Sequence, residues 1–543
     1  MMNGIRKVWE FYRKHGVRLL LLKLFRNYQS PGISYVEWRQ IHGHTETERE
    51  AQRQYQFSNS ALISIVVPVF HTPERFLREM LESVQLQTYS NWELCIADGS
   101  ESNTVENIVR RYAVKDLRIK YRHLEKNLGI ADNTNAALEM TKGEFIGFLD
   151  HDDVLDAGAL FEVMKVIEKD SRTDMIYTDE DKVSTDLSEY FDPHFKPDYN
   201  KELLHWNNYI CHFLVVKRSV IDRVGNISVK HEGAQDYDFI LRCSETAENI
   251  VHIPRVLYHW RTHQASTAVN PQSKLFAYES GKRAIQEHLS RTNENAFVEH
   301  GVGYGFYNVS YQVQNQEMVD IFVLDNHKVS NPSRVKKCVK SIRKTNNYSN
   351  YNVHVVGDFN KICWDTVTSS YVVFIDSSLT SISEEWIESL LGCCQRNYVG
   401  AVGGKIYSAN DTIYHAGIIL GMNGYAFEGF PREKSGYFHR ESLGQNLSAV
   451  TWQFMMAEKD VIGDIVQKAG GFPDDEVDLC REIAARGRAV IYNPNVEAKQ
   501  IFRKRILKKD EIQNEKAVGV KKVEDPCYNQ NLSLRSPGYY LQK

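Results

Sequence analysis

The sequence predicts an α/β protein in which two doubly wound domains follow one another, and three observations predict it. Leu62 to Phe70 is a nearly unbroken apolar run of strand length, the signature of a strand covered on both faces. Strand-like and helix-like segments then alternate up to Leu149. From Val319 onward the same succession of apolar runs starts again, a repeat on the scale of a whole domain. A chain of 543 residues is long enough for two to four domains of about 150 residues.

The elements follow in order. Arg75 to Gln87 reads as a helix after the first strand. Trp92 to Ser100 is a second strand ending in Asp98-Gly99-Ser100. Thr104 to Tyr112 is helical, Ile119 to His123 a strand and Asp132 to Met140 a helix. Phe145 to Leu149 is the fourth strand, and it runs out into Asp150-His151-Asp152-Asp153. Three carboxylates leaving one strand end repel each other unless a cation sits among them. A divalent ion carrying a diphosphate is one answer, since Mg²⁺ takes one or two carboxylates plus substrate phosphates. A solvated turn that caps the helical segment Asp156 to Lys169 is the other. In open α/β sheets ligands bind beyond the carboxyl ends of the strands, and Asp98 and Asp150 both lie there.

Composition sets the outer limits. The apolar and charged fractions are those of a globular protein, and a net charge of −4 is too small to imply a nucleic-acid partner. Nine scattered cysteines with no CxxC pair read as reduced thiols in a cytoplasmic setting. No apolar run reaches the roughly 18 residues of a membrane span. Residues 1–26 carry Arg6, Lys7, Arg13, Lys14, Arg18, Lys23 and Arg26 against the single acid Glu10, with an apolar side from Val8 to Phe25. Such a helix lies on an anionic membrane surface or packs on the protein body.

The first half resembles the family 2 glycosyltransferases of the GT-A fold. The resemblance rests on Ile65 to Phe70, Ala97-Asp98-Gly99-Ser100, Asn127-Leu128-Gly129-Ile130-Ala131, Leu149 to Asp153, Gln235-Asp236-Tyr237-Asp238 and Tyr258-His259-Trp260-Arg261. Tyr177 to Lys182 and Asn208-Tyr209-Ile210 are similar to bacterial members that build cell-surface polysaccharides, rhamnose-containing ones included.

The resemblance implies tandem GT-A (Rossmann-like nucleotide-diphospho-sugar transferase) domains: a basic helix and linker over 1–60, a catalytic domain over 61–300, a second domain over 318–502 and a basic tail over 503–543. It implies an inverting transferase that uses Mn²⁺ or Mg²⁺. The donor would be a UDP-sugar or dTDP-rhamnose, and the acceptor a growing polysaccharide or lipid-linked glycan at the inner face of the membrane. Asp152 and His259 become the metal ligands, with His263 as the fallback, and Asp236 the general base. Pro68, Phe70 and Asp98 face the nucleotide, although Asp98 also fits a plain Asp-Gly turn. Asp150 contacts the ribose or a metal-bound water, Asp153 serves position, and Asp238 orients the base loop or the acceptor. Arg261 pairs with phosphate, and Trp206, Asn207, Asn208 and His212 are pocket-lining candidates. Asp179, Glu180 and Asp181 match the family without a clear role.

In the second half, Ser378 stands where active domains carry an acid, Glu476 where the catalytic Asp is expected, and Gln500 where the late histidine belongs. That domain is therefore expected to be degenerate. The rival expectations are a bifunctional polymerase with both domains active, and a non-catalytic glycan-binding assembly protein. The stretch 503–522, with eight Lys/Arg against three acids, suits membrane contact or a solvated tail, and Asp525 to Leu534 is expected to pack back on a domain.

Overall fold

The computed structural model describes residues 32–263, 275–325, 331–345, 347–501 and 524–543. The basic helix expected over 1–26 and the basic stretch 503–522 lie outside the described residues. Two mixed sheets form the body.

The first sheet begins with β1 (Ile63–Val69) and β2 (Trp92–Asp98), every residue of which is buried: β1 as its nearly unbroken apolar run predicts, β2 with Glu93 held by Ser64 and Lys120. β3 (Ile119–His123) extends β2, and β4 (Phe145–Phe148) flanks β1 on the other side, all in parallel. The crossover helices are Glu74–Gln85, Thr104–Ala113 and Ile130–Leu138. The last starts at Gly129, whose φ of +89° suits glycine.

Beyond β4 the strand direction reverses. β5 (Val154–Leu155), β6 (Met175–Ser184), β7 (Tyr190–His194), β8 (Leu214–Lys217) and β9 (Ile250–Thr262) complete the sheet in the order β4-β8-β6-β9-β5, with β7 on β6. β8 is antiparallel to both β4 and β6, β6 and β9 are parallel, and β5 pairs antiparallel with the far end of β9. This last pairing carries the chain after β4 back across the sheet edge, so the acidic turn faces the end of β9.

A hairpin of β10 (Ala296–His300) and β11 (Tyr307–Tyr311) precedes the second sheet. That sheet holds β12 (Val319–Leu324), β13 (Tyr351–Val356), β14 (Tyr371–Asp376), β15 (Leu379–Thr380), β16 (Val399–Tyr407), β17 (Ile413–His415), β18 (Gln445–Asn446), β19 (Phe454–Glu458) and β20 (Ala489–Gln500). Its order β13-β12-β14-β19-β16-β20-β15 repeats β2-β1-β4-β8-β6-β9-β5 strand for strand, with the same directions. The repeat read from the apolar runs is thus a repeat of topology.

The domains are locked together by buried polar contacts. Asn200 and Asn446 exchange hydrogen bonds of 2.8 and 2.9 Å. Arg396 of the second domain reaches Glu202 at 2.7 Å and Glu294 at 3.2 Å. The closing segment 524–543 packs back as expected: the Asn529 amide donates to both Asp179 oxygens, at 3.1 and 2.9 Å, and to the Lys196 carbonyl at 2.8 Å.

Candidate functional site

The site is assembled at the exit of β4. Asp150 to Asp153 turn there, and the start of β5 opposite His259 draws that turn against the end of β9. Tyr258 clamps the turn: its hydroxyl donates to Asp153 Oδ2 at 2.5 Å and accepts from the Asp150 amide at 3.3 Å. The Arg261 amide donates to Asp153 Oδ1 at 2.7 Å. Burial, and then the charges of Asp152 and Asp150, push the Asp153 carboxyl well above the usual range. Asp153 is therefore the buried post of the turn, matching the positional role expected of it.

Asp152 Oδ2 lies 2.8 Å from His263 Nε2. His259, expected as the metal histidine, is elsewhere: its Nδ1 sits 2.6 Å from Asp181 Oδ1, under the edge of the Tyr190 ring. The reason is register. Parallel pairing puts His259 beside Asp181, while antiparallel pairing with β5 carries the residues after Arg261 past Asp152. The fallback His263 occupies the place assigned to His259.

Arg261 also differs from expectation. It is fully buried. Nε donates to the Asp152 carbonyl at 2.6 Å, and Nη1 reaches the Thr185 carbonyl at 2.8 Å and Glu79 at 2.6 Å. Only Nη2 lacks a protein partner, so no two-nitrogen face is left for a phosphate. Its work is to brace the acidic turn from behind.

On the opposite wall, Asp236 stands in the first turn of the helix Gln235–Thr246. Its Oδ2 accepts from Asn208 Nδ2 at 2.9 Å. Burial raises its pKa; the nearby His212 works against this shift and Asp150 with it. Two further acceptors beside it, Asn208 Oδ1 and Gln235 Oε1, are buried without a protein partner. Asp238, two residues on, is turned away and held by Arg242 at 2.9 Å, an i,i+4 pair that ties it to the helix instead of to a substrate.

Between the two walls lies His212. Its Nδ1 is 3.2 Å from Glu180 and its Nε2 is 3.7 Å from Asp150, with the ring stacked on Tyr258. Burial alone would lower its pKa, but the hydrogen bond and charge of Glu180, joined by Asp150 and Asp153, raise it to about 9. The acid run without a clear role in the sequence is thereby explained. Asp179 takes Asn529 and His252, Glu180 takes Lys196, His194 and His212, and Asp181 takes His259 and the Tyr35 hydroxyl. Lys196, which sequence reasoning missed, is fully buried and donates to the carbonyls of Ile210 and His212, bracing the Asn208–His212 loop. No pattern around it betrays its burial.

The nucleotide candidates lie on the β1–β2 side. Pro68 pairs in register with Ala97, and Phe70 is exposed at the strand end beside His71. Asp98 is fully buried: Tyr121 donates to one oxygen at 2.8 Å and the Ser100 amide to the other at 2.9 Å. It closes the Asp-Gly-Ser turn, the plainer of its two readings. Trp206 is not in the site. It is buried at the domain interface, where Gly444 leaves room for its indole; a Cβ there would meet the ring at 2.4 Å.

Strand pairing also aligns the second domain. Leu379 takes the place of Val154, and Gln500 that of His259. The connection from β14 to β15 is two residues long, 377–378, and holds no acid, Asp376 being the last residue of β14, against five residues, 149–153, with three acids from β4 to β5. Both oxygens of Glu476 are taken, by the Tyr425 and Thr451 hydroxyls at 2.7 Å each. His415 is buried, which drives its pKa down to about 3, and it accepts from the Thr451 amide at 3.1 Å.

Residues 64–225, which hold β1, the acidic turn, Asn208 and His212, match the model of Glycosyl transferase family 2. Over those residues the match agrees with the resemblance read from the sequence motifs. The chain is 33% identical over 491 residues to Uncharacterized protein y4gI of Sinorhizobium fredii, covering 81% of itself and 53% of that relative. It is 29% identical over 507 residues to the O-antigen biosynthesis protein RfbC of Myxococcus xanthus, covering 85% of itself and 39% of that relative. The chain thus spans about half or less of these curated relatives. Among solved structures, S. aureus TarS 1–349 in complex with UDP-GlcNAc aligns with a TM-score of 0.35 at 18% identity, over 42% of this chain and 66% of that one.

Proposed function

We propose that the first domain transfers a sugar, with inversion, from a nucleotide-diphospho-sugar to a hydroxyl of a growing polysaccharide or lipid-linked glycan. The donor is a UDP-sugar or dTDP-rhamnose. The observation that carries this reading is Asp236: a half-buried carboxylate of raised pKa, held by one amide and flanked by two unpartnered acceptors, across from the acidic turn. A single base of this kind suffices to take the proton of an attacking hydroxyl, and no second carboxylate nucleophile is needed. The relative named for O-antigen biosynthesis favours a polysaccharide acceptor.

Asp152 and His263 are the residues that would hold a divalent ion. Among the described residues no group of three His, Cys, Asp or Glu has metal-site geometry. The pair fits an ion whose remaining ligands are diphosphate oxygens and water, and its mixed O and N donors favour Mn²⁺. When bound, the ion neutralises the diphosphate leaving group. His212 adds positive charge between that position and Asp236, and Arg261 and Tyr258 hold the turn still. Among the described residues no helix is long and apolar enough to cross a membrane. Contact with the inner membrane face is assigned to the basic stretches 1–26 and 503–522.

The second domain is read as non-transferring. Its turn is shorter and poorer in acids, and its Glu476, at the position of the expected base, is hydrogen-bonded at both oxygens by tyrosine and threonine hydroxyls.

Purified chain incubated with UDP-sugars and dTDP-rhamnose is expected to release nucleotide in Mn²⁺ and to fall to background in a chelator. Equal release in the chelator would remove the ion from this reading. No release from any donor, with or without added saccharides, would remove transfer itself.

A further inference from the structure

Phe438 and His439 are two consecutive non-glycine residues in left-handed backbone, with φ of 45° and 56°. Such conformations are costly and persist where the surroundings hold them, most often at ligand clamps and active sites. Here the surroundings belong to the first domain. Tyr437 anchors the segment: its hydroxyl accepts from the Phe195 amide at 2.8 Å and donates to the Pro193 carbonyl at 2.7 Å. The Phe438 ring lies flat on His194, centroids 3.9 Å apart at 10°. His194 is itself 3.5 Å from Glu180, which grips His212. His439 meets the Phe306 ring at 4.6 Å, and Phe306 bridges by backbone to Asn207, the neighbour of the Asn208 that holds Asp236. Phe438 and His439 both remain partly exposed. A strained aromatic pair from one domain therefore packs against the two elements that carry the site of the other, Glu180's neighbour His194 and the Asn207 end of the loop whose Asn208 Oδ1 is buried without a protein partner.

We infer that this segment of the second domain completes the first domain's acceptor side. Phe438 and His439 form a ledge on which the apolar face of a neutral saccharide ring rests, while a hydroxyl of the ring donates to Asn208 Oδ1. This rests on the reading of Asp236 as the base. It gives the second domain a function that needs neither metal nor turnover. Aromatic side chains suit the task, since they offer a rigid apolar face at low entropic cost.

The test uses the full chain and glycine substitutions, because glycine adopts the left-handed backbone without strain. Methyl α- and β-glycosides of glucose, galactose, mannose, L-rhamnose and N-acetylglucosamine are the probes, read by saturation-transfer NMR with UDP and Mn²⁺ present. At least one glycoside is expected to bind the wild type. Phe438→Gly and His439→Gly are each expected to weaken that binding about fivefold or more, with an equal or higher melting temperature and unchanged UDP affinity. A wild type that binds UDP but no glycoside overturns the ledge alone. So does glycoside binding that survives both substitutions, or that is lost only together with melting temperature, which would make the segment domain glue. A wild type that binds neither UDP nor dTDP overturns the site reading and the ledge with it.

Discussion

Asp236→Asn is expected to lower turnover about 10³-fold while leaving nucleotide-sugar binding and melting temperature close to wild type. The amide keeps the size and the Asn208 contact of the carboxylate, with the Asn208 hydrogen bond of 2.9 Å available to its oxygen. It cannot accept the proton of an attacking hydroxyl. The same residue fixes the acid limb of the pH profile. Asp236 has a raised pKa, so the reactive carboxylate form is lost on acidification at a higher pH than for an ordinary aspartate. Turnover should therefore fall as pH drops through that raised value, at a higher pH than an unperturbed aspartate would set. Nucleotide release under saturating donor, followed against pH, checks both statements. Wild-type turnover in Asp236→Asn would assign the base elsewhere.

The second large effect separates two histidines that the sequence places four residues apart. His263→Ala is expected to weaken Mn²⁺ binding at least about tenfold in the presence of UDP, because its Nε2 is the nitrogen at Asp152. His259→Ala is expected to leave Mn²⁺ affinity near wild type and to lower melting temperature, because it strips the buried Asp181 of its imidazole partner. Electron paramagnetic resonance of free Mn²⁺ during titration reads the first, and thermal unfolding the second. The opposite pattern would restore His259 to the ion.

These expectations show where the sequence was informative. β1, β2 and β4 announced themselves, because strands covered on both faces are mostly apolar. The acidic turn stood out for the opposite reason, as charge that has no place at a strand end without a purpose. Even the second domain was legible, since its apolar runs return in the order of the first. The choice between His259 and His263 was not legible, because it depends on β5 and β9 pairing antiparallel, a contact across more than 100 residues. Arg261 and Trp206 were misplaced for the same reason. A guanidinium or an indole reads as a ligand group until its burial against Glu79 or Gly444 is known. Asp238 is a different case: Arg242 four residues ahead on the same helix was signal enough to expect a local ion pair.

The central claim is that one carboxylate removes the acceptor proton while the sugar is displaced from its diphosphate in a single step. The measurement that meets it most directly is the anomeric configuration of the first product, read by NMR from a donor of known configuration. One displacement predicts a linkage opposite to that of the donor. A product that keeps the donor's configuration would require a second displacement and a nucleophile on the sugar's other face, and would contradict the role assigned to Asp236.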